Sequence, residues 1–334
     1  EASPFSMNSK LQDILKQACS MSPMTYMDYI EIVLYHESYG YYTQKKQRVG
    51  RSTQTDFYTS ESLGNVFAEL VLNAAQNLLK KNDLSSYHFI EIGAEPQSSL
   101  LSQLDEHPFK KQSVIRKGDE LKINNEPIIL FANEWLDALP FHRLVYLNGQ
   151  WYEKAVTLNT KDELEETLLE KLSPPIQSIA ERLPTKVSNG YQIDLSPETQ
   201  NQIQAISDKR WSGLVMLFDY GKTWNEIATQ MPNGSARTYY KHKQGTDLLY
   251  EPGNCDITFD VCWDFIKEIF DKNKNTQSHL QSQEAFFVIH AQDRIKEILS
   301  QSQFTFSHTK QTLLELIHPA NMGRKFQTFH AMRK

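Results

Sequence analysis

Apolar positions in the first eighty residues recur at helical spacing. Leu11, Ile14, Leu15 and Ala18 predict a helix over 10–19, and Tyr26, Tyr29, Ile30, Val33 and Leu34 predict a second. Ser22-Pro23-Met24-Thr25 reads as the start of that second helix, since Pro is tolerated in a first turn and Ser is a good cap. Its end falls near Ser38-Tyr39-Gly40. Val66, Phe67, Leu70, Val71 and Ala74 predict a third helix over about 63–81. The polar stretch 43–55, with Lys45, Lys46, Arg48 and Arg51, has no period and reads as a loop. Beyond residue 85 the pattern changes to short, largely apolar runs of strand length at 88–92, 127–132 and 213–218. That at 127–132 shows no alternation, as expected of a parallel strand covered on both faces. Asn148-Gly149 between the runs 143–147 and 150–154 predicts a hairpin, because a type I′ turn needs positive φ at both central residues. Residues 236–240, 285–290 and 326–332 read as further strands, 98–104 and 259–270 as helices, and the polar stretch 271–283 as a linker or loop.

Buried strands separated by helical segments imply an α/β fold with a mainly parallel sheet and helices on both faces. In such sheets ligands bind beyond the carboxyl ends of the strands, so strand ends are where chemistry is sought. The chain has 334 residues, enough for two domains or for one domain with an insertion. No apolar run approaches the roughly 20 residues that span a bilayer, so no membrane partner is expected. A net charge of −6 argues against nucleic acid as a partner. The three cysteines, Cys19, Cys255 and Cys262, match neither a disulfide framework nor a zinc site, and the ten histidines show no metal-ligand spacing. Residues 1–6 carry neither the basic nor the apolar region of a signal peptide.

Four constellations stand at strand ends or in neighbouring loops. Glu91-Ile92-Gly93 closes the first buried strand, where a glycine lets the backbone approach a ligand. Asn133, Glu134 and Asp137 follow the second, with His142 soon after; they offer hydrogen-bonding, carboxylate and titratable groups together, and Asn133 also suits a helix cap. Thr59 and Ser60, ahead of Glu61, suit caps for the third helix. Asp256 and Thr258 read as caps for the helix beyond them, and Arg237 as a partner for a carboxylate, in the fold or on a substrate.

In order along the chain, these stretches resemble the MidA-like family of S-adenosylmethionine-dependent methyltransferases, whose mitochondrial members are protein-arginine methyltransferases that assist complex I assembly. The resemblance rests on Ser38-Tyr-Gly-Tyr-Tyr42, Asp56-Phe-Tyr-Thr-Ser-Glu61, Phe67-Ala-Glu69, Glu91-Ile-Gly93, Asn133-Glu-Trp-Leu-Asp-Ala-Leu-Pro140, Asp219-Tyr-Gly221, Pro252-Gly-Asn-Cys-Asp-Ile-Thr258 and Met322-Gly323. It implies a Rossmann-like class I methyltransferase sheet, preceded by an N-terminal helical segment over 1–55 and carrying an inserted subdomain at about 144–210. It implies S-adenosylmethionine as cofactor, bordered by Thr59, Ser60, Glu91 and Gly93; Glu95 either crowds the methionine moiety or binds its ammonium group, and Asp119 or Glu120 is the candidate for the ribose. Asn133, Glu134, Asp137 and His142 are the implied catalytic set. The implied methyl acceptor is a protein, with arginine as the candidate side chain, in a bacterial cytoplasm or a mitochondrial matrix. The chain departs from the family where Glu95-Pro96-Gln97 replaces a glycine-rich loop, where 93–133 is short for a helix, a strand and a connection, and where Asp260 stands for a usual His. The alternative reading is a methyltransferase fold retained as an inactive binding or assembly factor. A dinucleotide oxidoreductase is a weaker third, because no GxGxxG is present.

Overall fold

The computed structural model describes residues 4–44, 64–80, 83–301 and 307–334. They divide into two compact units. The second unit, residues 58–136, 202–221 and 263–334, is built on a six-stranded sheet. Its strands are β1 (His88–Ile92), β2 (Lys111–Ile115), β3 (Glu126–Asn133), β4 (Trp211–Asp219), β5 (Thr276–Ser282) and β6 (Gln327–Arg333), in the spatial order β5-β6-β4-β3-β1-β2. β2, β1, β3 and β4 are mutually parallel, while β6 enters antiparallel between β4 and β5. This is the Rossmann-like sheet expected of a class I methyltransferase. All five residues of β1 are buried, His88 and Glu91 included, as are the last six of β3, in keeping with strands covered on both faces. Phe67 of the helix Asn65–Leu78 packs against Phe131, Phe218 and Phe287, and this aromatic cluster is the centre of the unit's core.

The first unit, residues 1–57, 137–201 and 222–262, has its own antiparallel sheet. Gln150–Leu158 pairs with His142–Leu147 through the expected hairpin, Asn148 and Gly149 having φ of 51° and 88°. The same strand pairs with Met24–Thr25 and with Leu164–Leu168, so residues within the predicted inserted stretch continue a sheet. Of the stretch 144–210, residues up to 201 belong to this unit and the rest to the second. The helices Pro4–Ala18 and Tyr26–Tyr35 cover the unit's core with Leu11, Leu15, Tyr29, Val33 and Leu34.

Several expectations are corrected. Met24 and Thr25 are strand, not helix, and Thr25 rather than Ser22 caps the helix, its side chain accepting from the Asp28 N–H at 3.1 Å. Residues 98–104 form only the 3₁₀ turn Leu101–Gln103, because Ser99 and Ser102 bond each other's backbone and compete with helix. No helix follows Asn133, so it caps none. Asp256–Thr258 is a strand paired with Arg237–Tyr240, and the helix beyond is Trp263–Asp271. The polar stretch taken as a linker contains β5, and residues 285–290, read as strand, lie in the helix Gln283–His290.

Candidate functional site

The carboxyl ends of β1, β2, β3 and β4 come out on one edge of the parallel sheet, and the second unit's candidate residues collect there. Gly93 follows β1 with φ +80°, and its N–H donates to the Ile115 carbonyl at 3.2 Å. A Cβ at this position would lie 2.8 Å from Cβ of Trp135, in the loop after β3, so glycine is required on both steric and backbone grounds. Glu91, 2% exposed, turns its Oε2 to the Leu100 N–H at 2.7 Å and closes the loop between them. That contact occupies one carboxylate oxygen with the protein itself.

Asn133 ends β3 and is buried, and its Oδ1 has no hydrogen-bond partner among the described residues. A buried acceptor in that condition costs about 1–3 kcal/mol unless a ligand or water satisfies it. Glu134 has φ +49°, a left-handed conformation uncommon for a side chain of its size, and its N–H donates to the Phe218 carbonyl at 2.9 Å. The loop it opens is held by Asp219 at the end of β4. Asp219 is 1% exposed and accepts from the Leu136 N–H and the Tyr220 N–H, each at 2.9 Å.

Asp119 lies in an exposed turn beyond β2, where its Oδ2 accepts from the Arg116 N–H at 2.8 Å. Glu95 is half-buried in the loop after Gly93. Thr59 and Ser60, with the whole Asp56–Glu61 block and the basic residues Lys45 to Arg51, lie outside the described residues.

Asp137 and His142 belong to the first unit. Asp137 is 3% exposed, and its carbonyl accepts from the Phe259 N–H. His142 Nδ1 lies 2.5 Å from Oε1 of the fully buried Glu153, which also accepts from the Ser173 N–H at 2.7 Å. Burial opposes the charge on Glu153, but the bonds from His142 and Ser173 outweigh it and hold its carboxyl below the ordinary value. His142 Nε2 has no partner among the described residues. Arg237 finds its carboxylate within the fold. Burial works against its charge, yet Asp260 Oδ1 at 2.7 Å keeps the guanidinium above its ordinary value.

Asp219, Trp135 and Glu153 carry this geometry and were not among the predicted site residues. The signal available for Asp219 was Asp-Tyr-Gly directly after a buried strand. Glu153 sits on the strand that the Asn-Gly hairpin folds against His142.

A family model described as "Putative S-adenosyl-L-methionine-dependent methyltransferase" matches residues 65–281. The chain belongs to this methyltransferase family. The cofactor of the family is S-adenosylmethionine. Among curated relatives of this methyltransferase is the mitochondrial "Protein arginine methyltransferase NDUFAF7 homolog" of Drosophila melanogaster. It is 23% identical, over 92% of this chain and 81% of its own length. The Homo sapiens protein arginine methyltransferase NDUFAF7, also mitochondrial, is 21% identical, over 96% of this chain and 82% of its own. A solved Burkholderia thailandensis structure, of a candidate methyl transferase bound to S-adenosyl-homocysteine, superposes with a TM-score of 0.82 at 20% identity. That match covers 100% of this chain and 95% of the other, and bears out the fold. Among the described residues no helix is long and apolar enough to cross a membrane.

Proposed function

We propose that this methyltransferase acts on a protein, with arginine as the acceptor side chain, and that the sheet edge formed by Gly93, Glu95, Asn133 and Glu134 holds the cofactor. The observation that carries the reading is the buried, unsatisfied Oδ1 of Asn133 at the end of β3. It is an acceptor suited to the ammonium or amino donors that S-adenosylmethionine presents. Gly93 supports it as a positive-φ glycine directly after β1, at the strand end where ligands bind in such sheets. Bound S-adenosylmethionine supplies an electrophilic methyl group, so the protein's task is positioning and charge complementarity rather than strong acid–base chemistry. Glu134 is the carboxylate proposed to engage the acceptor guanidinium, and Glu95 the one for the cofactor ammonium. Thr59 and Ser60 are proposed as further cofactor contacts. Within the first unit, the His142–Glu153 pair has the chemistry of a proton acceptor, with Nδ1 bonded to a carboxylate and Nε2 left to act. Asp137→Asn and His142→Gln test whether these two residues serve the reaction.

The arginine specificity is supported by the relatives in fly and human, which are named protein arginine methyltransferases. Their mitochondrial location supports a mitochondrial enzyme, proposed in the matrix, if the source is eukaryotic; for a bacterial source the proposed location is the cytoplasm. The six-stranded unit is proposed as the methyltransferase domain, and the stretch at about 144–210 as its main insertion.

Calorimetric titration with S-adenosyl-homocysteine tests the cofactor site. Micromolar binding by the wild type is expected, with a loss of about a hundredfold or more in Gly93→Val. No heat at millimolar ligand would sink the reading. Mass spectrometry of arginine-rich peptides incubated with enzyme and cofactor tests the acceptor: a gain of one methyl mass on arginine is expected, and methylation confined to other side chains would refute it.

A further inference from the structure

The loop after β1 lacks the glycines that usually shape a cofactor loop of this kind, yet it follows a definite course from Gly93 to Leu100. At its far end Glu91 fixes the Leu100 N–H. At its near end the restraint comes from the next strand. Arg116, the first residue after β2, directs Nη2 at two successive carbonyl oxygens, those of Glu95 and Pro96, each at 3.3 Å. The Glu95 carbonyl also accepts from the Ser98 N–H at 3.2 Å. Arg116 is itself held, since its own N–H donates to Asp119 Oδ2 at 2.8 Å and its carbonyl accepts from the Asp119 N–H at 2.9 Å. The end of the second strand is where Rossmann-type folds place an acidic residue on the ribose hydroxyls. In this chain Ile115 and Arg116 occupy that end, and the nearest acid bonds the arginine's backbone.

We infer that Arg116 is a positioning residue for cofactor binding: its guanidinium sets the loop Glu95-Pro96 by capping two carbonyls, in place of glycine-shaped backbone, and Asp119 serves Arg116. The inference rests on the cofactor-site reading above, and in it Asp119, the ribose candidate from the sequence, supports the arginine instead. A planar cation can satisfy two adjacent carbonyls while its exposed side chain contributes little to the core, so the effect falls on the loop and on its ligand.

The test is S-adenosyl-homocysteine titration of wild type, Arg116→Ala, Arg116→Lys and Asp119→Asn, with kinetics at saturating cofactor and hydrogen exchange on the free proteins. Arg116→Ala is expected to weaken binding about tenfold, the scale of charge-assisted hydrogen bonds lost from one side chain. It should raise the cofactor KM while leaving kcat within about twofold. Amide exchange should quicken at residues 94–100 and nowhere else. Arg116→Lys, which keeps the charge on a shorter stem without the planar fork, should bind between Arg116→Ala and wild type. Asp119→Asn should keep binding within about threefold, because an amide oxygen still accepts from the Arg116 N–H. Wild-type protein that binds no S-adenosyl-homocysteine would overturn both this inference and the reading it rests on. Wild-type binding with Arg116→Ala equally tight, or with exchange unchanged over 94–100, would overturn the inference alone. Unfolding of Arg116→Ala would do the same, by assigning the residue to the fold. A loss in Asp119→Asn larger than in Arg116→Ala would return Asp119 to the ribose.

Discussion

Glu134 carries a conformational cost that its neighbours enforce. Its φ of +49° is set by the bond from its N–H to Phe218, at the point where β3 ends against β4. For a residue with a Cβ, the left-handed region costs roughly 1–2 kcal/mol. Such strain tends to persist where the surrounding structure over-determines it and where it aims a functional group. Comparing two truncations separates backbone from side chain, since Glu134→Ala and Glu134→Gly both remove the carboxylate. In a helix interior glycine would be the less stable of the two, whereas here Glu134→Gly should be the more stable by about 1 kcal/mol in urea unfolding. Both variants should lose methyl transfer by tenfold or more if the carboxylate engages the acceptor. An alanine variant as stable as the glycine one would show that the strain is absent. This residue also marks what the sequence can and cannot reveal of a site. Glu91, Gly93, Asn133 and Glu134 were legible as candidates because each stands at or beside the end of a buried strand. Asp219 was legible as a strand end but not as the group that fixes the Glu134–Leu136 loop, because the N–H it binds at Leu136 is distant in sequence. Nor could the sequence show that Glu91 spends an oxygen on Leu100.

At the scale of elements, local signals succeeded where one short segment decides its own structure. The Asn-Gly hairpin and the largely apolar runs of β1, β3 and β4 are of this kind. They failed where tertiary pairing overrides composition. Thr276–Ser282 is almost wholly polar, yet all seven residues pair with β6, because the sheet edge offers a complete ladder to any chain that reaches it. The run Phe286-Phe287-Val288-Ile289 is apolar enough for a strand, but Ser282 starts a helix by accepting from the Ala285 N–H at 3.2 Å. The helix then buries the two phenylalanines and leaves Val288 and Ile289 exposed. A helix whose start is fixed locally in the same way lies in the first unit. Thr223 caps Trp224–Thr229 by accepting from the Glu226 N–H at 3.2 Å, while the Glu226 carboxylate returns to the Thr223 N–H at 2.8 Å. In so short a helix the cap is a large part of what stabilises the first turn. Thr223→Ala is therefore expected to cost about 1 kcal/mol in chemical unfolding. It should leave S-adenosyl-homocysteine affinity in the second unit unchanged, and a cost below a few tenths of a kcal/mol would show that the box does not hold the helix.

For the whole molecule, stability between pH 6.5 and 5 responds chiefly to one buried imidazole. His330 of β6 is 2% exposed, with its ring 5.1 Å from that of His279 on β5 and 5.4 Å from that of His290 at the end of the neighbouring helix. Burial, then the positive potential of His290 and His279, pushes its pKa down to about 3 from an ordinary 6.5. The same causes, burial first and then His279, lower His290. The folded protein thus refuses a proton that the unfolded chain takes up below about pH 6.5, so the unfolded state binds more protons and stability rises with pH across this range. The stabilisation is fully present above about pH 6.5 and is lost progressively as pH falls towards about 3. Glu126, Glu153 and Glu166, held below their ordinary 4.5, lose their contributions only as pH falls below that value, so the window from 6.5 to 5 isolates the histidines. Between those limits the unfolding free energy should fall on acidification with a slope approaching about 1.4 kcal/mol per pH unit for one proton, and somewhat more with His290. His330→Met keeps an apolar, adaptable side chain against Phe286 and removes the titrating group. Its unfolding free energy should be nearly flat from pH 6.5 to 5 apart from the share left to His290. An unaltered slope in that variant would place the acid sensitivity elsewhere in the molecule.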